Sequence, residues 1–252
     1  VRNDTMRFLG GFRGEEEDSA TSMRLGLMYL FGNGLSPYLS YSESFTVLPG
    51  FRTGTNERYE PQRGKQWEAG VKYQPVDSEQ TFTASVYDLR ERERPINVTP
   101  TLVEQVGESK TRGLELEWVG RVTKAMEIYA FYNYTDIDDK LEGLPKHNAG
   151  VWAKYSFHLA GVPGFSTGLG VRYLSSFKDV AVDGSGNVTG YGPDVPSVTL
   201  LDAMLAWESP SWRYALNVQN LTDKTYTSTC LSRGDCWYGA RRTAVLSATY
   251  KF

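Results

Sequence analysis

The sequence predicts an all-β fold, an antiparallel transmembrane β-barrel meander of about 11–12 strands. Three observations predict it. Apolar residues recur with period two, the alternating segments run to about ten residues, and the connections between them alternate short and long.

The period is clear from the first segments to the last. Trp67, Ala69, Val71 and Tyr73 oppose Glu68, Gly70, Lys72 and Gln74. Met126, Ile128, Ala130 and Tyr132 oppose Glu127, Tyr129, Phe131 and Asn133. Ala149, Val151, Ala153 and Tyr155 oppose Gly150, Trp152, Lys154 and Ser156. Leu201, Ala203, Leu205 and Trp207 alternate with Asp202, Met204, Ala206 and Glu208. Trp212, Tyr214, Leu216 and Val218 alternate with Arg213, Ala215, Asn217 and Gln219. Ala244, Leu246, Ala248, Tyr250 and Phe252 close the chain in the same way. No segment has a convincing helical period.

Such segments fall at 22–31, 36–45, 65–75, 80–90, 112–121, 125–135, 147–158, 166–176, 198–208, 211–221 and 242–252, and residues 1–10 hold part of a twelfth. About ten residues is the length of a tilted strand crossing a bilayer, whereas soluble strands average about five or six. The short links are Gly32–Leu35, Val76–Glu79, Val122–Lys124, Leu159–Phe165 and Ser209–Pro210. The long ones are Thr46–Gly64, Glu91–Thr111, Asp136–Lys146, Phe177–Ser197 and Thr222–Arg241. Tight turns on one rim and long loops on the other are the mark of an outer-membrane barrel. A Greek-key sandwich does not sort its loops so cleanly.

Composition agrees. The 252 residues carry 27 Lys+Arg and 30 Asp+Glu, for a formal net charge of −3, which argues against a dedicated nucleic-acid binder. Mean hydropathy is −0.42, and the longest mostly apolar stretch, Leu25 to Phe31, is far short of the about twenty residues of a spanning helix. Aromatics at 13% are too many for a disordered tail. In a bilayer wall they have a place: Trp207 and Trp212 flank a short turn, as do Tyr29 and Tyr38, and such residues favour the interface. Backbone groups in lipid find no water, so every strand must pair on both sides. Small residues, Leu and Val then face lipid, with Leu114, Leu116 and Trp118 outward. Lys72, Glu115, Glu117, Lys154 and Arg172 face a wet lumen.

Several segments resemble a known family, the TonB-dependent outer-membrane receptors. Thr111-Arg112-Gly113-Leu114-Glu115-Leu116-Glu117 is similar to their "S/T-R-G-x-E-x-E" strand. Gly64 to Lys72 is similar to the strand with an E-x-G-x-K pattern, and Pro37 to Phe45 to another barrel strand. Asn220-Leu221-Thr222-Asp223-Lys224-Thr225-Tyr226 resembles the exit of the penultimate strand, with Thr222 in place of the usual Phe. Tyr250-Lys251-Phe252 resembles the terminal aromatic signal, Phe252, read by the barrel-assembly machinery.

Within that family the hydroxamate, or ferrichrome, type of siderophore receptor is the nearest in pattern. Cys230-Leu231-Ser232-Arg233-Gly234-Asp235-Cys236-Trp237-Tyr238-Gly239-Ala240-Arg241-Arg242 resembles its last outer loop, where a cysteine pair is followed by an aromatic, a Gly-Ala and a basic residue. The resemblance implies a Cys230–Cys236 disulfide. In the family an aromatic follows the first cysteine and touches ligand; Leu231 stands there in this chain.

The family forms barrels of about 22 strands around a plugged lumen. The resemblance therefore implies that 1–252 is the C-terminal portion of such a barrel, with the plug and TonB box outside this chain. The start at Val1, with neither Met nor signal peptide, and the two open edges of a half-barrel agree with a part of a larger protein. The implied function is import of a ferric siderophore across the Gram-negative outer membrane, driven by the TonB energy-coupling complex. The implied surroundings are the lipid bilayer and lipopolysaccharide. The iron stays in its chelate, so no cofactor and no protein metal site is expected.

A hydroxamate chelate is weakly charged and partly apolar, so loop aromatics suit it. The candidates are Tyr226, Trp237 and Tyr238 on the last loop, Phe177 and Tyr191 on the loop before, and Phe51 and Tyr59 on an early loop. Arg90, Arg92 and Arg94 read as a solvated loop. The rival readings are a passive porin, an outer-membrane hydrolase and a soluble lectin-like β protein. For the hydrolase the sole hint is His147 near Asp136, Asp138 and Asp139.

Overall fold

A computed structural model describes residues 2–7, 15–48, 50–51, 57–99, 102–106, 108–137, 143–183 and 187–252. Its main body is one antiparallel sheet of 11 strands. In chain order these are β3 (Arg24–Met28), β4 (Leu35–Thr46), β5 (Gln62–Tyr73), β6 (Gln80–Arg92), β9 (Ser109–Thr123) and β10 (Met126–Ile137). They continue with β11 (His147–Leu159), β12 (Val162–Leu174), β15 (Val198–Glu208), β16 (Trp212–Gln219) and β19 (Thr243–Tyr250). Each strand pairs with its neighbours in chain order, and β3 and β19 are the edges. That is the expected meander.

The remaining strands lie outside this sheet. β7 (Arg94–Thr99) pairs with β8 (Leu102–Val106), β13 (Val180–Val182) with β14 (Val188–Tyr191), and β17 (Thr227–Cys230) with β18 (Cys236–Tyr238). Three of the long connections are thus hairpins standing on the outer rim. Residues 1–10 do not supply a twelfth wall strand among the described residues. β1 (Arg2–Arg7) pairs with β2 (Glu15–Ala20) in a separate two-stranded sheet.

The register sorts side chains onto two faces, because neighbours across a strand pair share a face. Tyr41, Trp67, Asp88 and Arg112 stand in one row, and below it lie Leu39, Ala69, Val86 and Leu114. Lower still come Leu35, Tyr73, Phe82, Trp118, Ala130 and Val151. This face exposes large apolar groups; Leu27 is 75% and Leu246 74% exposed. So broad an apolar surface needs lipid against it. The other face carries Ser36, Lys72, Thr83 and Glu117 in one row, and Gly70, Ser85, Glu115 and Asn133 in the next. Leu114, Leu116 and Trp118 are therefore on the apolar side and Glu115 and Glu117 on the polar one, as the alternation predicts.

Aromatics band the short-turn rim of the apolar face. Phe165 meets Trp207, Trp207 stacks on Tyr214 at 6.0 Å, Trp212 stacks on Tyr214 at 5.7 Å and touches Tyr250 at 5.0 Å. Phe252 extends the band, edge-on to Tyr250 at 5.3 Å. Tyr38 departs from its expected girdle position. Its residue parity puts it on the polar face, where its hydroxyl donates to Glu68 at 2.6 Å. Aromatics on that face lie over glycines of the adjoining strand: Tyr38 over Gly70, Tyr87 over Gly113, Phe131 over Gly150, and Trp152 over Gly168 and Gly170. A side chain at any of these glycines would run into the ring.

One turn is tighter than the sequence reading. β11 runs on to Leu159 and β12 begins at Val162, so the link is Ala160-Gly161, with φ of 49° and 80°. Two positive φ values in a two-residue loop match the twist of the flanking strands. The sequence reading places this link at Leu159–Phe165, longer than the turn itself.

Candidate functional site

The outer loops are built on the strand ends and brace one another. The last loop starts at Asn220, which is 2% exposed and left-handed at φ 51°. Its Nδ2 donates to the carbonyls of Lys224 (2.8 Å) and Ala240 (3.1 Å), and its Oδ1 accepts the N–H of Lys224 at 2.8 Å. Its own N–H donates to Oδ1 of Asp202 at 2.9 Å. One residue, through its side chain and its own N–H, thereby joins both legs of the loop to β15. The polar face adds Arg172, whose Nη2 donates to Asp202 at 3.0 Å.

Asp223 holds the returning leg. Arg241 donates to its two oxygens at 2.9 Å and 2.6 Å, and the N–H of Arg242 donates at 2.9 Å. The Arg241 side-chain hydrogen bonds, with that backbone donor second, hold the Asp223 carboxyl well below the usual carboxylate range. Both Asn220 and Asp223 belong to the N-L-T-D-K segment already singled out, yet their clamp role needs coordinates to be seen.

The tip of this loop is the β17/β18 hairpin, closed by a disulfide between Cys230 and Cys236. Cys230 is 2% exposed. Beyond the bridge, Trp237 is 46% and Tyr238 78% exposed. Tyr226 sits lower and half-buried, its ring against Gly239, whose N–H donates to the Tyr226 carbonyl at 2.8 Å.

The neighbouring loop docks on this one. Oδ2 of Asp179 accepts the N–H of Ser232 at 2.8 Å, and the Asp179 carbonyl accepts the N–H of Gly192 at 2.9 Å. Gly192 lies against the backbone of Leu231 and Ser232 so closely that a Cβ there would collide with it. Leu231, where the family pattern has an aromatic, is thus part of a loop-to-loop seam. Tyr191 is next to that seam, with Lys178 Nζ 4.3 Å from its ring centre. Phe177 is half-buried and bridges to Val195. Five of the seven candidate aromatics, Tyr226, Trp237, Tyr238, Phe177 and Tyr191, therefore belong to one braced pair of loops.

Phe51 and Tyr59 belong to a second pair. Phe51 bridges to Arg58, and the N–H of Tyr59 points to the Gly50 carbonyl at 3.4 Å. This loop is tied to the β7/β8 hairpin by Gln105, which accepts from the N–H of Glu60 at 2.9 Å and donates to its carbonyl at 2.7 Å. β13 approaches β7, so the two assemblies adjoin. Asp179 and Gln105 were not among the sequence candidates. Each works across a long sequence separation and carries no local signal.

His147 faces the other way. It lies on the apolar face with Tyr132, whose hydroxyl is 2.9 Å from Nδ1, while Asp136 pairs with Lys146 at 3.2 Å. Asp138 and Asp139 lie outside the described residues. Arg90 and Arg92 are strand residues, Arg90 within the expected 80–90 segment and Arg92 beyond it. They end β6 and pair with Asp88 (3.2 Å) and Glu108 (3.2 Å), whereas Arg94 pairs with Glu91 at 2.9 Å.

A broad antiparallel meander, apolar on one face and polar on the other, with braced loops on one rim, defines a wall of an outer-membrane type of β-barrel. The comparisons give the family. A model described as "TonB dependent receptor-like, beta-barrel" matches residues 1–221, and the chain belongs to that family, one of transporters and not of enzymes. The chain is 34% identical over 256 residues to the Ferrioxamine B receptor of Salmonella typhimurium (strain SL1344), covering 95% of this chain and 35% of that protein. It is 32% identical over 267 residues to the Ferrichrome outer membrane transporter/phage receptor of Escherichia coli (strain K12), covering 99% and 34%. Among solved structures, the pyoverdine outer membrane receptor FpvA from Pseudomonas aeruginosa PAO1 superposes with a TM-score of 0.76 at 21% identity, over 96% of this chain and 38% of that one. The chain spans about a third of the length of the curated relatives it matches.

Proposed function

We propose that this chain is the C-terminal wall of an outer-membrane receptor that imports a ferric siderophore, of hydroxamate type, with energy from the TonB complex. The observation that carries the reading is the likeness to ferrioxamine and ferrichrome receptors across nearly the whole chain, outer loops included. The loops support it chemically. Trp237, Tyr238 and Tyr191 offer flat apolar surface beside polar backbone, which suits a chelate with an apolar skirt and carbonyl oxygens. The iron arrives and leaves wrapped in its chelator, as cargo, and the protein supplies shape and donors rather than ligands to the metal. The candidate contacts are Tyr226, Trp237, Tyr238, Phe177 and Tyr191, with Phe51 and Tyr59 at the adjoining loop. The plug and TonB box belong to the proposed whole receptor. Phe252 is the proposed handle for the barrel-assembly machinery.

The test is growth. Cells lacking their own hydroxamate receptors, but making the full receptor that carries this chain, should grow on ferrioxamine B or ferrichrome as sole iron source. They should stop when the energy-coupling complex is deleted. Growth that survives the deletion would mark a passive pore instead.

A further inference from the structure

Most of the positive charge on the outer loops is satisfied within the loops themselves. The described residues of the two braced loops, 177–197 and 222–241, include the cations Lys178, Lys224, Arg233 and Arg241. Arg241 is clamped to Asp223, and Arg233 pairs with Asp235. Lys224 is exposed, so its charge sits in high-dielectric water. Lys178 is different. It is half-buried, and its ammonium has neither a carboxylate nor a hydrogen-bond acceptor among the described residues. The acids of its own loop turn elsewhere. Asp179 accepts the N–H of Ser232 at 2.8 Å, and Asp183 accepts the N–H and the side-chain amide of Asn187 at 2.8 Å and 3.1 Å. Asp194 is exposed and forms no ion pair with Lys178.

What holds Lys178 is a ring. Its Nζ lies 4.3 Å from the centre of the Tyr191 ring, over the face whose partial negative charge attracts a cation. A ring covers only one side of an ammonium. The N–H donors on the other side are left for an acceptor, and a partly desolvated cation gains most from an anionic one. Tyr191 is itself 56% exposed, so the pair is open to solvent. Its strand is nevertheless fixed. Val180, which pairs with Tyr191 across the hairpin, is 8% exposed. Gly192, the next residue, lies against the backbone of Leu231 and Ser232, which sets the pair beside the disulfide hairpin that carries Trp237 and Tyr238.

We propose that Lys178, seated on Tyr191, determines specificity by binding a carboxylate carried on the chelate, so that the preferred cargo is a ferric trihydroxamate with a free carboxylate. The inference rests on the import reading above and narrows its substrate class. The core of a ferric trihydroxamate is uncharged, because each hydroxamate brings one negative charge against Fe³⁺. Charge can therefore be read only at a peripheral substituent. A fixed cation at the rim of the loops can pair with a carboxylate there, gains nothing from an uncharged end, and repels an ammonium. Tyr191 has two parts in this arrangement: its ring holds the lysine in place, and its exposed surface lies against the skirt of the chelate.

The experiment uses the full receptor carrying this chain, purified in mild detergent and titrated by calorimetry. The probes are a linear ferric trihydroxamate ending in a free carboxylate and the methyl ester of the same compound. The wild type should bind the acid about tenfold more tightly than the ester, as one hydrogen-bonded charge at an accessible site allows. Lys178→Gln should lose that tenfold for the acid and bind the ester as the wild type does, and Lys178→Arg should keep most of the preference. Heat-modifiable migration on gels reports whether each barrel has folded. Should Lys178→Gln not fold, Lys178→Met, which keeps an apolar stem over the ring, takes its place. Equal binding of acid and ester by the wild type would overturn the assignment. So would an equal loss for both probes in a folded Lys178→Gln receptor, which would make the lysine a loop support. Either result leaves hydroxamate import standing, whereas a wild type that binds neither probe would sink the import reading and this inference with it.

Discussion

The carboxylate of Asp179 accepts the backbone N–H of Ser232 at 2.8 Å, across 53 residues of sequence. It fastens the β13/β14 loop to the disulfide hairpin. A hydrogen bond to a charged acceptor contributes about 1.5–3 kcal/mol, and this one is part-buried. Asp179→Ala should therefore loosen both loops together. Amide exchange at Ser232 and at Gly192 should quicken about tenfold, while the wall strands keep their protection. Faster exchange at one loop alone would show that they are not coupled.

The Cys230–Cys236 bridge closes the same hairpin. A short closed ring removes chain entropy worth about 2–3 kcal/mol from the open loop. Mass spectrometry of unreduced protein should find the two cysteines joined. Cys230→Ser/Cys236→Ser should leave the barrel heat-modifiable, because no wall strand depends on the bridge. Affinity for a ferric hydroxamate should fall about fivefold to fiftyfold as Trp237 and Tyr238 lose their platform. Unchanged affinity would mean that the loop holds its shape without the bond.

What was legible beforehand follows from what lipid requires. In a bilayer wall one face must be apolar and every backbone group paired, so period two and strand length were written plainly into segments such as Trp67–Tyr73 and Leu201–Glu208. Beyond the membrane that requirement lapses. β7/β8, β13/β14 and β17/β18 need no lipid-facing stripe, and their sequences read as loop. Arg92 falls past the expected strand end at Arg90 for the same reason: β6 continues above the aromatic belt, where its outward positions turn from apolar to basic. Tyr38 shows the limit of residue type as a guide, because a tyrosine beside a glycine on the wet face looks the same in sequence as one in a girdle. Asp179 and Gln105 act at long range and left no local trace.

Asp223 gives a pH prediction. Its carboxyl is held below the usual range by the Arg241 side chain and then the Arg242 N–H. A carboxylate with a depressed folded value adds its full stability above the unfolded value, about pH 4. That contribution disappears only as the pH falls through the lowered folded value. The clamp should therefore stay intact from pH 7 to pH 4, so Trp237 fluorescence should be flat across that range. Asp223→Asn should loosen the loop at every pH. A transition in the wild type near pH 5 that Asp223→Asn abolishes would contradict the assignment.

The glycines under the polar-face aromatics make a packing prediction. A Cβ at Gly168 would strike the indole of Trp152. Gly168→Val should cost about 1–3 kcal/mol by overpacking and lower the yield of heat-modifiable barrel. Adding Trp152→Ala should restore much of it, since the ring that collides is gone. A defect of equal size in the double variant would place the strain in the backbone instead.

The candidate aromatics divide by their surroundings, and that separates contact from support. Trp237 and Tyr238 are exposed at the loop tip, while Tyr226 is wedged against Gly239 at its base. A ring that touches ligand but not its own loop should affect binding alone. Trp237→Ala and Tyr238→Ala should each raise the dissociation constant for a ferric hydroxamate about fivefold to thirtyfold, the cost of an aromatic contact of about 1–2 kcal/mol. Their loop should resist protease as the wild type does. Tyr226→Ala should both weaken binding and open the 222–241 loop to cleavage, because its ring fills the slot that keeps β18 returning to β19. If Trp237→Ala and Tyr238→Ala leave affinity untouched in an intact loop, the chelate rests on the Tyr191 side of the seam, and Tyr191→Ala should then carry the loss.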